Sequence, residues 1–461
     1  MTIGLKDLPI DSIEDEALGF ADYADSLSKF IIKCDTPLTI AIQGDWGSGK
    51  TSLMNLMKNT IENEINDIKT IWFNSWQYSQ FDMEEDLPRL LLSHFIHEIG
   101  GDKKAPLLRL IWRFANRPLK IAAMVLGGKK AGEAYDELIK TSGMQIKELK
   151  QELQQQVKKM LEGSYKDRVV VFIDDLDRLI PIKAVELLQV LKLFLDIPGC
   201  VFVLAVDIDV IIKGLKDKFG IESNEKRDFF DKIVQLPFYM PSGLDSIGIY
   251  VEKLLKEIGV HYNQEDINSY AEMVKHSIGP NPRSVRRLFN SFLLLDIIAE
   301  KKNLLGSDKA TEEEKLKTLF GVLCLQSCFE PIHKHMQDNP DEIGRSILKT
   351  LQNEEELKKA KWYQEIIANN EVDTKKLINF IKFFYKNIQL TCDQKRDPKS
   401  DTLCEDEIRN LISMLKLSKI TSATIPSESG YINKIMKYPK ELLYDLAKYA
   451  SIKKSNNKDN L

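Results

Sequence analysis

Gly44-Asp-Trp-Gly-Ser-Gly-Lys-Thr51 decides how the rest of this chain is read. The stretch fits G-x-x-x-x-G-K-[S/T], and it lies between Leu38-Thr-Ile-Ala-Ile42, an apolar run of strand length, and a segment from Lys50 to Asn59 of helical character. Strand, glycine loop and helix in that order form a cradle for polyphosphate. Glycines let the backbone curl so that successive N–H groups point inward, and the helix N-terminus adds its partial positive charge. Lys50 is then expected to reach the β- and γ-phosphates, and Thr51 to offer a hydroxyl to Mg²⁺. Gly44, Asp45, Trp46, Gly47, Ser48, Gly49, Lys50, Thr51 and Ser52 make up the candidate nucleotide-binding set. The flanking elements disfavour the alternative, a glycine-rich turn that merely precedes a helix.

Farther on, Val169-Val-Val-Phe-Ile-Asp-Asp-Leu-Asp-Arg178 gives five apolar residues ending in two acids. Asp174 is placed to hold a magnesium shell and Asp175 to polarise an attacking water, because consecutive strand-end carboxylates differ in direction. Such a pair implies hydrolysis as well as binding. Val201-Phe-Val-Leu-Ala-Val206 leads to Asp207, which can report on the γ-phosphate or cap the helix from Ile208, or do both. Arg283, Arg286 and Arg287 occupy the opening turns of a helix after Gly279-Pro-Asn-Pro, where cations oppose the helix dipole. A bound anion would relieve that repulsion, which favours nucleotide phosphate over a solvated face. Arg227 is a weaker arginine-finger candidate, better explained as part of a solvated helix face.

Around these motifs the chain alternates strand and helix. Apolar spacing from Pro9 to Lys33 predicts a lead-in helix, Thr70 to Trp76 a second strand, Leu87 to Ile99 a helix, Arg168 to Asp175 and Gly199 to Asp207 further strands, and Ile182 to Phe194 a helix. Continuous apolar strands of this kind belong to a parallel sheet covered on both faces. A basic amphipathic stretch and a Glu/Gln/Lys-rich segment between them read as a helical insertion. After Leu236-Pro-Phe-Tyr-Met-Pro241 the strand pattern fades and amphipathic helices follow, such as Ser246 to Gly259, Pro282 to Lys302 and Glu312 to Cys328. The division expected is an α/β core of residues 1–99 and 165–240, an insertion 100–164, a helical domain 241–450 and a tail 451–461.

Composition fits that plan. The 461 residues are 43% apolar and 29% charged, which excludes wholesale disorder, and a net charge of −4 supplies no global basic field for nucleic acid or an anionic membrane. Six scattered cysteines suit a reducing cytoplasm. The acidic start carries no export signal, and the apolar stretch Leu107 to Gly128 is interrupted by Arg109, Arg113, Arg117 and Lys120, so no membrane helix is expected. Contact of that basic stretch with a membrane surface or a nucleic acid stays open, with an ordinary packed hairpin the favoured account.

With its segments assembled, the chain resembles the prokaryotic KAP-type P-loop NTPases, on the AAA-like side of the P-loop proteins. The resemblance rests on Gly44-Asp-Trp-Gly-Ser-Gly-Lys-Thr-Ser52, Phe73-Asn-Ser-Trp-Gln-Tyr78, Ile173-Asp-Asp-Leu-Asp-Arg178, Phe202-Val-Leu-Ala-Val-Asp207, Phe230-Asp-Lys-Ile-Val-Gln-Leu-Pro-Phe238 and Asn281-Pro-Arg-Ser-Val-Arg-Arg287. It covers about Asp7 to Asn290. It implies an α/β fold with a mostly parallel sheet sandwiched by helices, a helical insertion between the Walker motifs and an all-helical C-terminal domain. It further implies ATP hydrolysis with Mg²⁺, a Walker A role for Lys50 and Thr51, a Walker B role for Asp174 and Asp175, and a sensor-like role for Arg283. Many members carry membrane helices where this chain has its charged insertion. Prokaryotic members are associated with phage exclusion and defence operons, including the ATPase of the Qat system, so protein partners encoded nearby are expected.

Other signals carry less. Cys324, Cys328, His333 and His335 could be drawn as a zinc site, but the spacing is not a usual closed pattern and a core helix is the better reading. His94 and His97 invite the same thought with less reason. The leading expectation is an ATPase acting as a switch or motor in a defence complex. The alternatives are a nucleotide-gated scaffold with little turnover and, less favoured, a small-molecule kinase. Homo-oligomerisation stays open, since an arginine could act in trans.

Overall fold

The computed structural model describes residues 4–64, 67–79, 87–99, 133–164, 168–192, 194–219, 229–260, 262–304, 309–343, 347, 350–351, 353–370, 372–389 and 405–421. The chain divides into two compact units, one formed by Lys6–Glu257 with Pro280–Arg283, the other by Met1–Leu5, Ile258–Gly279 and Ser284–Leu461.

The first unit is built on strands β1 (Leu38–Gln43), β2 (Ile68–Asn74), β3 (Arg168–Asp174), β4 (Cys200–Val206) and β5 (Leu236–Tyr239). They form one sheet in the order β2-β3-β4-β1-β5, with every pairing parallel. β1 is therefore separated from β3 by β4. The five residues Val169–Ile173 and all of β4 are buried, which is why both read as unbroken apolar runs. Alternate side chains face opposite sides of the sheet. Ile71, Phe73, Val169, Val171, Ile173, Phe202 and Leu204 share a core with α4 (Leu87–Ile99), α5 (Glu133–Ser164), α6 (Pro181–Lys192) and α7 (Ile208–Phe219). On the other face α2 (Lys50–Glu64) packs against β2 and β4 and pairs with α1 (Ala21–Lys33). Each large apolar side chain so buried contributes roughly 1.5–3 kcal/mol. The short β5 lies at the sheet edge, where Pro237 is tolerated because its missing N–H removes no interior bond.

Two boundaries differ from the sequence pattern. The lead-in helix does not begin near Pro9: a 3₁₀ turn spans Ile13–Asp15 and α1 starts only at Ala21. Between them Gly19 takes φ 79°, and the Glu16 carboxylate accepts the N–H groups of Leu18 and Gly19, bonds that compete with helix. The run from Thr70 to Trp76 also stops short as a strand. β2 ends at Asn74, and a short helix, α3 (Ser75–Ser79), follows, with Asn74 Oδ1 accepting from Gln77 N at 3.0 Å. The basic stretch Leu107 to Gly128 lies outside the described residues.

Every regular element described in the second unit is a helix. Its helices include α9 (Gln264–His276), most of α10 (Pro282–Lys301), α11 (Lys309–Cys328), α12 (Glu330–Asp338), α15 (Thr374–Gln389) and α16 (Glu405–Ser418); α8 (Ile247–Ile258) precedes them, and the short α13 (Glu354–Lys359) and α14 (Lys361–Asn369) lie between α12 and α15. A capping box of Asn263 and Asp266 opens α9. Its core gathers Tyr270, Phe289, Phe292 and Phe320 edge to face or tilted, with centroids 4.7–6.4 Å apart.

Candidate functional site

The C-terminal ends of β1, β3 and β4 bring the site together. Beyond β1 the loop turns through Gly47 at φ 85° and Gly49 at φ 98°, both left-handed, before Lys50 starts α2. A Cβ at Gly47 would stand 2.8 Å from Asn281 Oδ1 and 2.9 Å from Arg283 Cβ, so this position requires glycine on two counts. Gly44 N donates to Val206 O at 3.3 Å, which fastens the loop to the end of β4.

Lys50 is turned into the site. Its ammonium donates to Gly44 O at 2.7 Å and Asp45 O at 3.0 Å. It also lies 2.7 Å from Asp177 Oδ2, an ion pair without the alignment of a hydrogen bond. Thr51 Oγ1 donates to Asp174 Oδ1 at 3.2 Å, and the same oxygen accepts Asp175 N at 2.8 Å. Asp174 Oδ2 is buried without a hydrogen-bond partner. Burial first, then the charge of Asp175, pushes the Asp174 carboxyl up to about 6. A divalent cation would satisfy that oxygen and offset that repulsion, and Thr51 supplies a second hard ligand, so these residues fit Mg²⁺. The buried Ser48 Oγ, likewise without a hydrogen-bond partner, and the left-handed glycines suit a phosphate-bearing ligand in the same way.

Asp175 takes the left-handed conformation, φ 59° and ψ 29°, and its carboxylate has partners other than those of Asp174. Asn74 Nδ2 donates to its Oδ2 at 2.8 Å, and Arg178 Nε pairs with its Oδ1 at 2.5 Å. The register opposes Asn74 to Asp174, one residue from the group it holds. Burial raises the Asp175 carboxyl, while Arg178 and Asn74 oppose that rise. Asp207 accepts the N–H of Asp209 at 3.0 Å, the helix-capping role, and burial raises its carboxyl against the pull of Lys50.

Arg283 lies in the same unit as the loop. Its guanidinium carbon stands 5.1 Å from the centroid of the Trp46 ring and its Nε donates to Asp7 Oδ1 at 3.1 Å, while Asn281 Nδ2 donates to Trp46 O at 3.0 Å. The division of the chain falls after Arg283, so Arg286 and Arg287 belong to the helical unit. Ser52 faces the N-terminal segment, its Oγ accepting Ile10 N at 3.2 Å. Arg227 lies outside the described residues.

Sequence reasoning gave no role to Asn74, Asp177, Arg178, Asn281 or Asp7. Asp177 had a usable signal as the third acid of Asp174-Asp175-Leu176-Asp177, in the short 3₁₀ turn Leu176–Arg178 that follows the strand end directly. The zinc reading is not supported, since among the described residues no group of three or more His, Cys, Asp or Glu is arranged to hold a metal. His333 instead meets Ser418 Oγ at 2.9 Å and His335 stacks on Trp362 with centroids 4.4 Å apart. His94 tilts against Phe73. No helix among the described residues is long and apolar enough to cross a membrane.

The phage T7 exclusion protein of Escherichia coli (strain K12) is 23% identical over 268 residues, 51% of this chain and 34% of that protein. The chain thus spans about a third of the length of that relative. Among solved structures, the Aeropyrum pernix ORC2 protein matches with a TM-score of 0.36 and 12% identity, over 90% of this chain and 98% of that one. A DNA replication initiation factor matches at 0.29 and 12%, over 78% and 93%. At these TM-scores neither adds to the fold already described. The family model for the KAP family P-loop domain matches residues 20–299, more than half of the chain and every motif of the site, and the protein belongs to that family of P-loop NTPases.

Proposed function

We propose that this protein is a Mg²⁺-dependent ATPase that works as a switch or motor within a multi-protein complex, in defence against phage. The observation that carries the chemistry is the meeting of Thr51 with Asp174 at 3.2 Å beside a buried, unpartnered Asp174 Oδ2, on the strand next to the one that ends at the lysine-bearing loop's tether. In this reading Lys50 and the loop amides grip the β- and γ-phosphates, and Thr51 and Asp174 hold the metal. The metal, when bound, neutralises charge developing on the phosphates. Asp175, held at both oxygens by Asn74 and Arg178, orients the attacking water and receives its proton. Arg283 and Asp207 sense the terminal phosphate. Defence rests on the likeness to a phage exclusion protein, and its partners are protein chains that respond to the hydrolytic cycle. The domains read from sequence, a core of 1–99 and 165–240 and a helical 241–450, would be the parts whose relation the cycle changes.

Purified protein with Mg²⁺ should release phosphate from ATP, and Lys50→Ala and Asp175→Asn should lose that activity. Equal rates for all three would end this reading. A nucleotide-gated scaffold with little turnover is the second reading, favoured by the engagement of both Asp175 oxygens. Tight ATP binding without phosphate release would select it.

A further inference from the structure

The Lys50 ammonium is ringed by three oxygens within 3.0 Å: two carbonyls of its own loop and the Asp177 carboxylate. Two of the three N–H donors of the ammonium are taken by the loop carbonyls, and Asp177 faces it as an ion pair, so a phosphate oxygen that takes the third donor meets the charge of that carboxylate at the same cation. Gly44 and Asp45 belong to the loop that carries Lys50. Asp177 comes from elsewhere in the sequence, on the turn after β3, anchored by the fully buried Leu176 beside it. Both members of the ion pair are nearly enclosed, with the Lys50 side chain 6% and that of Asp177 5% exposed. At such burial a carboxylate competes with phosphate for the same cation with little solvent to screen it. Asp177 is also distinct from its neighbours in what it holds, since Asp174 meets Thr51 and Asp175 meets Asn74 and Arg178.

We propose that Asp177 is a built-in competitor for the phosphate-binding lysine, a residue that weakens nucleotide affinity and so keeps bound ADP exchangeable. This rests on the reading that Lys50 grips nucleotide phosphate. Asp177→Asn keeps the shape and leaves an amide oxygen for Lys50, but removes the charge that makes the competition strong. The effect should follow the β-phosphate, because that is the group Lys50 reaches. It should also require Lys50 itself, which separates it from a general change of fold or of surface charge.

The test is calorimetric titration of the full chain and its variants with ADP, ATP and AMP, each at a low and a high Mg²⁺ concentration. Asp177→Asn should bind ADP and ATP at least tenfold more tightly than the wild type and AMP within twofold. In a Lys50→Ala background the same substitution should change ADP affinity less than twofold. Unchanged or weaker ADP binding by Asp177→Asn overturns the proposal, and weakening that grows with Mg²⁺ would make Asp177 a metal-holding acid instead. A gain that persists without Lys50 also overturns it. If the wild type shows no binding, tight ADP binding by Asp177→Asn still supports competition, whereas failure of both overturns this proposal together with the nucleotide reading. Wild-type binding with an inert Asp177→Asn removes this proposal alone. An Asp177→Ser variant, read alongside thermal unfolding, guards against a fold defect specific to asparagine and must shift ADP affinity in the same direction.

Discussion

Trp76 carries the guanidinium of Arg178 4.5 Å from its ring centroid, and the same guanidinium pairs with Asp175. The indole thus acts at one remove on the acid placed to orient water. A cation over an aromatic face at a partly exposed site is worth about 0.5–1 kcal/mol. Trp76→Ala should therefore lower kcat for ATP by roughly threefold while KM moves little, because the group it steadies acts after binding. Asn74→Ala, which removes a direct bond to Asp175, should cost more, about tenfold or above. Steady-state phosphate release checks both, and a rise in KM at unchanged kcat would contradict the assignment.

Thr51→Val keeps the volume of the side chain and deletes the hydroxyl that meets Asp174. Hydrolysis should fall by about a hundredfold or more, given that a lost metal ligand or transition-state donor costs about 2.7–4 kcal/mol. Chelation of Mg²⁺ should abolish turnover in the wild type and leave little for the variant to lose. Phosphate release measured with and without chelator decides the matter.

Gly47→Ala tests the loop geometry independently of chemistry. The left-handed φ alone costs a non-glycine residue about 1–2 kcal/mol. The contact with Asn281 Oδ1 at 2.8 Å adds to it. Nucleotide binding should fall at least tenfold, with Asn281→Ala in the same chain restoring part of the loss by clearing one of the two contacts. Titration with ADP of the single and double variants reads the difference.

His333 gives a pH dependence away from the site. Burial, with a smaller push from Lys419, lowers its imidazole to about 4 from an ordinary value of 6.5, and its ring is held by Ser418. Between those values the unfolded chain binds the proton and the folded chain does not. Stability is therefore full above about pH 6.5 and declines as pH falls toward 4, by on the order of 3 kcal/mol for this one group. Urea unfolding at pH 7 and pH 4.5 should show that decline, and His333→Gln should flatten its share even if the variant is less stable at pH 7.

What could be read from sequence follows the range over which its physics acts. β1, β3 and β4 declare themselves by continuous apolar runs, and the glycines of the loop by a backbone need that is purely local. Lys50 and Thr51 follow from that loop, and Asp174 and Asp207 because they sit at the ends of those runs. The partners that orient them do not: Asn74 and Asp175 lie 101 positions apart, Trp46 and Asn281 235, Asp7 and Arg283 276. Nothing in periodicity links such pairs until the sheet has formed. The lead-in helix shows the opposite failure, where apolar spacing from Pro9 onward suggested a single helix and Gly19 with the Glu16 carboxylate set a later start.

β4 lies between the strand that ends at the loop and the strand that ends at the acids. Two interstrand steps of about 4.8 Å each therefore gauge the mouth of the cleft. That gauge is cut in main-chain bonds which neither ligand nor metal would touch, so side chains along β4 can be exchanged for others of like bulk without widening the jaws. Only an inserted or deleted residue, which turns every later side chain to the wrong face, would throw the jaws out of true.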